Sequence, residues 1–214
     1  MRTPVRRLDL WIGIALAALY GVGVVLHLLP ATSTMVQGLT PGVLLLTAAL
    51  TCVPLFRDGA GPIFVWIAAS FLVGFLLEVI GVATGVIFGS YAYGEVLGVK
   101  LMSVPVVIGL NWAFVILGAT ALATRVTKNP VLAAVFAGAL TTGFDWVMEP
   151  VAVATGYWRW SAEMIPLRNY IAWFVISGVL SFALASQKRK PTTWVPAIAF
   201  LLQLAFFFAL RMTL

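Results

Sequence analysis

The chain has 214 residues, 62% of them hydrophobic and 9% charged, with a net charge of +6. A soluble domain carries roughly 25% charged residues, so this composition excludes a water-facing surface over most of the chain. One cysteine, Cys52, and one histidine, His27, exclude an intrachain disulfide framework and any Cys-cluster or multi-His metal centre built by a single chain.

The N-terminal Met1-Arg2-Thr3-Pro4-Val5-Arg6-Arg7 resembles the n-region of a signal peptide. A long apolar run follows it without a clear small-residue cleavage site, which predicts a retained helix. Apolar runs of this kind, about 20 residues each, cross a hydrocarbon core of roughly 30 Å. Helices are predicted near 9–29, 41–56, 62–87, 104–124, 130–149, 168–186 and 194–212. Their ends are marked by Pro30, Pro41, Pro62, Pro130, Pro150 and Pro191, where helices start or stop. The run from Pro41 to Phe56 is short for a full span and is expected to tilt or to borrow from the Thr-rich stretch before it. The fold class is therefore all-α, a polytopic membrane helical bundle of about seven transmembrane helices in one domain over 1–214.

Basic residues act here as topology markers. They are scattered between apolar runs and accompany no base-reading motif, so no nucleic-acid partner is expected. With the N-terminus cytoplasmic, Arg2, Arg6, Arg7, Arg57, Arg125, Lys128, Lys188, Arg189 and Lys190 lie inside, and Lys100, Arg159, Arg168 and Arg211 outside. That distribution needs an odd number of spans. Two longer connections, Phe88–Ser103 and Pro150–Leu167, fall on the outer side and hold Tyr91, Tyr93, Tyr157, Trp158 and Trp160. Such aromatic segments form either an interfacial belt or a lid over a site.

Ionisable residues within spans are costly and mark function by default. Glu78, Asp145, Glu149 and Arg168 stand out, with Asn111 and Asn169 as uncharged companions. In the predicted topology all six lie at similar depth, in the outer half of the bilayer. Asp145 and Glu149 are four residues apart and share a helix face. In a poor dielectric, either one of them keeps a proton at neutral pH or a cation such as Arg168 or Arg159 neutralises the pair. The plainer alternatives are an interhelical salt bridge and, for Glu149, solvation at the membrane edge. His27 reads as interfacial rather than catalytic. Gly81, Gly85 and Gly89 read as a small-xxx-small packing ladder, and Phe206, Phe207 and Phe208 as a lipid-facing surface.

Three ordered blocks carry a resemblance. The first runs Glu78-Val-Ile-Gly81-Val-Ala-Thr84-Gly85-Val-Ile-Phe88-Gly89-Ser-Tyr91-Ala-Tyr93, followed by Leu97-Gly98 and Val104-Pro105. The second is Asp145-Trp-Val-Met-Glu149-Pro150, running to Gly156-Tyr157-Trp158-Arg-Trp160. The third is Ile165-Pro166-Leu-Arg-Asn169-Tyr170-Ile-Ala-Trp173. Together they resemble the carotenoid hydratase family, which includes bisanhydrobacterioruberin hydratase and the carotenoid 1′-hydroxylases. Two positions depart from the family pattern: Ile87 stands where a proline is expected, and Asn111 precedes Trp112 where an apolar residue is expected.

The resemblance implies addition of water across the terminal double bond of an acyclic carotenoid, giving a tertiary alcohol. An acid would protonate the less substituted alkene carbon, and water would capture the tertiary carbocation. No cofactor is expected, since no Rossmann, haem or di-iron signature is visible. Asp145 is expected as the acid and Glu78 as the water-orienting base, with these two roles interchangeable, and Glu149 as a third catalytic carboxylate. Tyr91, Tyr93, Trp112, Trp146, Trp158, Trp160 and Trp173 are expected to line the substrate and shield the cation, with Asn111, Arg168 and Asn169 as polar organisers. Expected partners are the lipophilic carotenoid, membrane lipids and other enzymes of the carotenoid pathway, in a prokaryotic cytoplasmic membrane. Rival readings are a carotenoid cyclase or isomerase, a pigment-binding subunit, and a small proton-coupled transporter.

Overall fold

A computed structural model describes residues 6–162, 164–187 and 192–214. Arg2, Lys188, Arg189 and Lys190 of the topology argument, together with Pro191, lie outside the described residues. The described chain is helical, with seven long helices and one short one. The helices are α1 (Arg7–Leu28), α2 (Ser33–Gln37), α3 (Thr40–Arg57), α4 (Gly61–Thr84), α5 (Val106–Val126), α6 (Pro130–Ala154), α7 (Leu167–Ala185) and α8 (Val195–Arg211). Four very short strands, β1 (Tyr91–Tyr93), β2 (Lys100–Leu101), β3 (Val104–Pro105) and β4 (Trp158–Trp160), lie in the two long connections.

Among the described residues, six helices are long and apolar enough to cross a membrane, and α8 has 17 residues. At 1.5 Å per residue α8 covers about 26 Å, a turn short of the usual span. α5 is the central helix, buried over most of its length, whereas α1 exposes most of its surface. The outward faces carry large apolar side chains such as Trp11, Val65, Leu72 and Val179, as a lipid-facing surface requires. Lipid tails are as apolar as the helices, so association depends on close packing. Gly109 of α5 and Gly138 of α6 supply it: a Cβ at either would stand 2.9 Å from a backbone carbonyl of the next helix, Phe71 and Phe174 respectively.

Local signals set the ends of α6 and α4. Asn129 caps α6 by accepting the N–H groups of Val131 and Leu132 at 2.9 and 3.2 Å, with Pro130 at the first helical position. α4 stops at Thr84, short of the predicted 87, because Gly85 turns left-handed at φ +65° and its N–H bonds to the Gly81 carbonyl. The glycines at 81, 85 and 89 therefore form no helix-packing ladder. Gly81 leaves room for the Phe88 ring, and Gly89, at φ +125°, lets the returning chain lie against Pro166.

Pro150 also departs from expectation: α6 passes through it and ends at Ala154. A proline inside a helix leaves the carbonyl four residues earlier without its usual donor, here that of Trp146. The Arg211 guanidinium of α8 bonds to that carbonyl and lies 3.8 Å over the Trp146 ring, which replaces the missing N–H. The aromatic run near the C-terminus is mostly inward. Phe207 is buried against Phe144, Phe206 sets its edge on Tyr20 and His27, and Phe208 alone of the three is exposed.

One end of the bundle is held by charges that pair with each other. Arg57 bonds to Asp9 at 2.6 Å and Asp58 at 2.8 Å, and Arg6 reaches Asp58 at 3.0 Å. Thr192 and Thr193 donate to Asp58 and Asp9, each at 2.8 Å. This cluster ties the starts of α1 and α8 to the end of α3.

Candidate active site

At the opposite end, the two long connections pair with each other. β1 and β4 run antiparallel, with Tyr91 opposite Trp160, Ala92 opposite Arg159 and Tyr93 opposite Trp158. Side chains alternate across a strand, so Tyr91, Tyr93, Trp158 and Trp160 share one face while Ala92 and Arg159 point outward and are exposed. The aromatic face lies over the end of the bundle beside a pocket of about 380 Å³, counting the space at its open mouth.

Each strand serves one carboxylate. Tyr91 and Tyr93 both donate to Glu78 Oε2, the latter at 2.7 Å, and Trp112 Nε1 donates to Glu78 Oε1 at 2.8 Å. Trp158 and Trp160 donate their indole N–H groups to Glu149 Oε2 at 3.0 and 2.9 Å. Burial, reinforced by the charge of Glu78, pushes the Tyr91 and Tyr93 phenols well above their usual range, so both stay protonated and donate. Asp145 is held differently. Asn169 Nδ2 donates to its Oδ2 at 2.6 Å, and its Oδ1 is buried without a partner.

The four central helices bring these groups to one place because each contributes its near end. Counting 1.5 Å per residue, Asn169 lies about 3 Å inside α7, Glu78 about 9 Å inside α4 and Asp145 about 14 Å inside α6. Asp145 and Glu149 are one turn apart and face the same cavity, as the i, i+4 spacing requires. Trp112 and Trp173 stack at 3.9 Å, with 19° between their planes, to make an aromatic wall. Asn111 completes the lining, and Gln203 of α8 donates to its Oδ1 at 2.9 Å.

Glu78, Tyr91, Tyr93, Asn111, Trp112, Asp145, Glu149, Trp158, Trp160, Asn169 and Trp173 thus surround a single cavity. Trp146 and Arg168 do not. Each follows or precedes an inward-facing residue, Asp145 or Asn169, and a step of one residue on a helix turns a side chain about 100° away. Trp146 is exposed beneath Arg211, and Arg168 is exposed. Among the described residues no ion pair involves Glu78, Asp145 or Glu149, so the salt-bridge alternative for these groups is not realised there. Phe88, Ile108 and Met148 also line the cavity. Gln203, a lone amide in the last apolar run, is the sequence signal of a polar contact that the predicted site lacks.

Three buried carboxylates, served by neutral donors and walled by aromatic rings, can hold and move protons beside an apolar guest. Burial keeps water scarce, and the ring faces can stabilise a cation. In comparison with known proteins, a family model described as carotenoid biosynthesis protein matches residues 39–214. No curated protein and no solved structure matches the chain.

Proposed function

From the premise that the chain belongs to the carotenoid biosynthesis protein family, we propose that it is a hydratase adding water to the terminal double bond of an acyclic carotenoid. The observation that carries this reading is Asp145: a buried carboxyl with one oxygen tied to Asn169 and the other, Oδ1, unpartnered at a cavity whose described lining holds no cation. A carboxylic acid kept neutral by such surroundings is a proton donor.

The reaction balances on this chain's own residues. A proton on Asp145 Oδ1 passes to the less substituted carbon of the double bond, whose π electrons form the new C–H bond. The tertiary carbocation left behind lies against the Trp112–Trp173 wall, where cation–π attraction contributes up to about 2 kcal/mol when desolvated. Glu78 then positions the water. A carboxylate offers about four lone-pair sites, and Tyr91, Tyr93 and Trp112 occupy three of them. The remaining site, on Oε1, suits one O–H of a water. Attack on the cation forms the C–O bond, and the released proton returns to the carboxylate set. Glu149, one turn from Asp145, relays it. The paired cations of the described chain at the far end, Arg6 and Arg57, support a cytoplasmic placement of that end and an outer position for the acid cavity.

A cyclase or isomerase would begin with the same protonation but quench the cation without water. The test is co-expression with the genes for an acyclic carotenoid, followed by chromatography and mass spectrometry of the pigments. A new pigment heavier by one water per reacted end supports the hydratase. A new pigment of unchanged mass refutes it in favour of cyclisation or isomerisation.

A further inference from the structure

A second cavity, of about 430 Å³ counting the space at its open mouth, lies between α1, α3 and α8. Its wall is largely apolar, with Leu19, Val43, Leu44, Phe206 and Phe207 among the side chains that form it. Most of its polar groups are already engaged. The Tyr20 and Thr47 hydroxyls bond to each other at 3.1 Å, as do those of Tyr157 and Thr40 at 2.9 Å, and His27 Nδ1 donates to the Gly23 carbonyl at 2.7 Å, which leaves His27 Nε2 as a buried polar atom without a partner. The cavity therefore offers mainly hydrocarbon surface to a guest.

Its position gives that surface a use. Gln203 lines this cavity and donates to Asn111, which lines the acidic one. Tyr157 lines this cavity and Trp158 the acidic one, with their ring centroids 6.2 Å apart. One amide pair and one aromatic pair thus form a shared wall. An acyclic carotenoid is a long, stiff rod. When its end group stands beside Asp145, the rest of the chain has to leave the acidic cavity through one of its walls. The wall at Asn111 and Gln203 backs onto an apolar void, whereas Glu78 and Glu149 are closed over by the β1–β4 face.

We infer that the cavity between α1, α3 and α8 binds the linear isoprenoid chain behind the reacting end group, with the Gln203–Asn111 pair as the threshold it passes. This inference rests on the hydratase reading of the acidic cavity. It makes substrate length a property read by α1, α3 and α8, away from the carboxylates.

The experiment fills the cavity from two sides, with Leu44→Trp on α3 and Leu19→Trp on α1. Hydration by the detergent-solubilised full chain is measured on a full-length acyclic carotenoid and on a short isoprenoid with the same terminal double bond. The ratio of kcat/KM, long over short, is expected to fall at least about tenfold in both variants, a discrimination ordinary for a crowded apolar pocket. Turnover of the short substrate reports that a variant is folded, and two variants on different helices protect against the loss of one. An unchanged ratio in both overturns the inference while leaving the hydratase reading intact. Failure of the wild-type protein to hydrate either substrate refutes the hydratase reading instead. The cavity is then judged by co-purified carotenoid, read from its visible absorbance: retention at the wild-type level by both filled variants overturns the inference, and at least a tenfold loss supports it.

Discussion

Glu78 is the best-anchored carboxylate of the cavity, and its removal has a cost that can be worked from its partners. Glu78→Ala leaves the Tyr91 and Tyr93 hydroxyls and the Trp112 indole N–H without their acceptor. A buried donor left unsatisfied costs about 1–3 kcal/mol, so three cost about 3–9 kcal/mol before relaxation. The two phenol hydroxyls can rotate toward water admitted to the vacated space, but the indole N–H cannot, which places the net loss near the lower end. Glu78→Gln is milder. Its carbonyl oxygen can take the Oε2 position and keep both tyrosines, while its amide confronts Trp112 donor to donor, a loss of about 1–3 kcal/mol for one group. In a chain of this size each kcal/mol shifts the melting temperature by about 2–4 °C. Thermal unfolding in detergent, followed by intrinsic fluorescence, should therefore rank wild type above Glu78→Gln and Glu78→Gln above Glu78→Ala. A Glu78→Ala protein that melts with the wild type, or above Glu78→Gln, would refute the acceptor role.

Three further outcomes follow from the packing and the charges. Arg211→Leu should destabilise the protein by about 1–3 kcal/mol, by stranding the Trp146 carbonyl. In a Pro150→Ala background, where the backbone N–H is restored, the same substitution should cost less in a double-mutant cycle. Gly74→Ala would place a Cβ 2.7 Å from Trp112 Cβ, an overpacking worth about 1–3 kcal/mol. By displacing a Glu78 donor it should also lower hydration more than it lowers expression. Finally, the hydrogen bond from Arg57, with help from Thr192 and Arg6, holds the Asp58 carboxyl below its ordinary value of 3.8. A carboxylate depressed on folding contributes stability above its unfolded pKa and loses it as pH falls through the folded one. Acidification below pH 3.8 should thus lower the melting temperature more in the wild type than in Asp58→Asn, with the two curves parallel above it.

The carboxylates were legible in the sequence because a bilayer makes any charge conspicuous, and antiparallel helices of known length set Glu78, Asp145 and Asn169 at one end. The seven long helices were legible for the same reason, as apolar runs between prolines. Features that depend on distant partners were not. Nothing local to Pro150 tells that Arg211, 61 residues on, will serve the open carbonyl and let α6 continue. Nor do three-residue strands carry a period long enough to reveal that Tyr91 will lie opposite Trp160. Trp146 and Arg168 were separable in principle, since neighbours of inward-facing helical residues cannot share their direction. Gln203 was hidden by the apolar run around it, and its bond to Asn111 joins residues 92 apart.

The proton donor is the central claim, and Asp145→Asn tests it most directly. Its side-chain oxygen can still accept from Asn169, so the packing is kept while the acidic proton is lost. Purified wild type and Asp145→Asn would be compared for hydration of an acyclic carotenoid in deuterated water, with the products analysed by mass spectrometry. The account predicts that the wild-type product gains a carbon-bound deuterium beside the new hydroxyl. It also predicts that the variant, folded and still binding carotenoid, is slower by about 10²–10⁴-fold, the usual contribution of general acid catalysis. A folded Asp145→Asn protein that hydrates at the wild-type rate would contradict it.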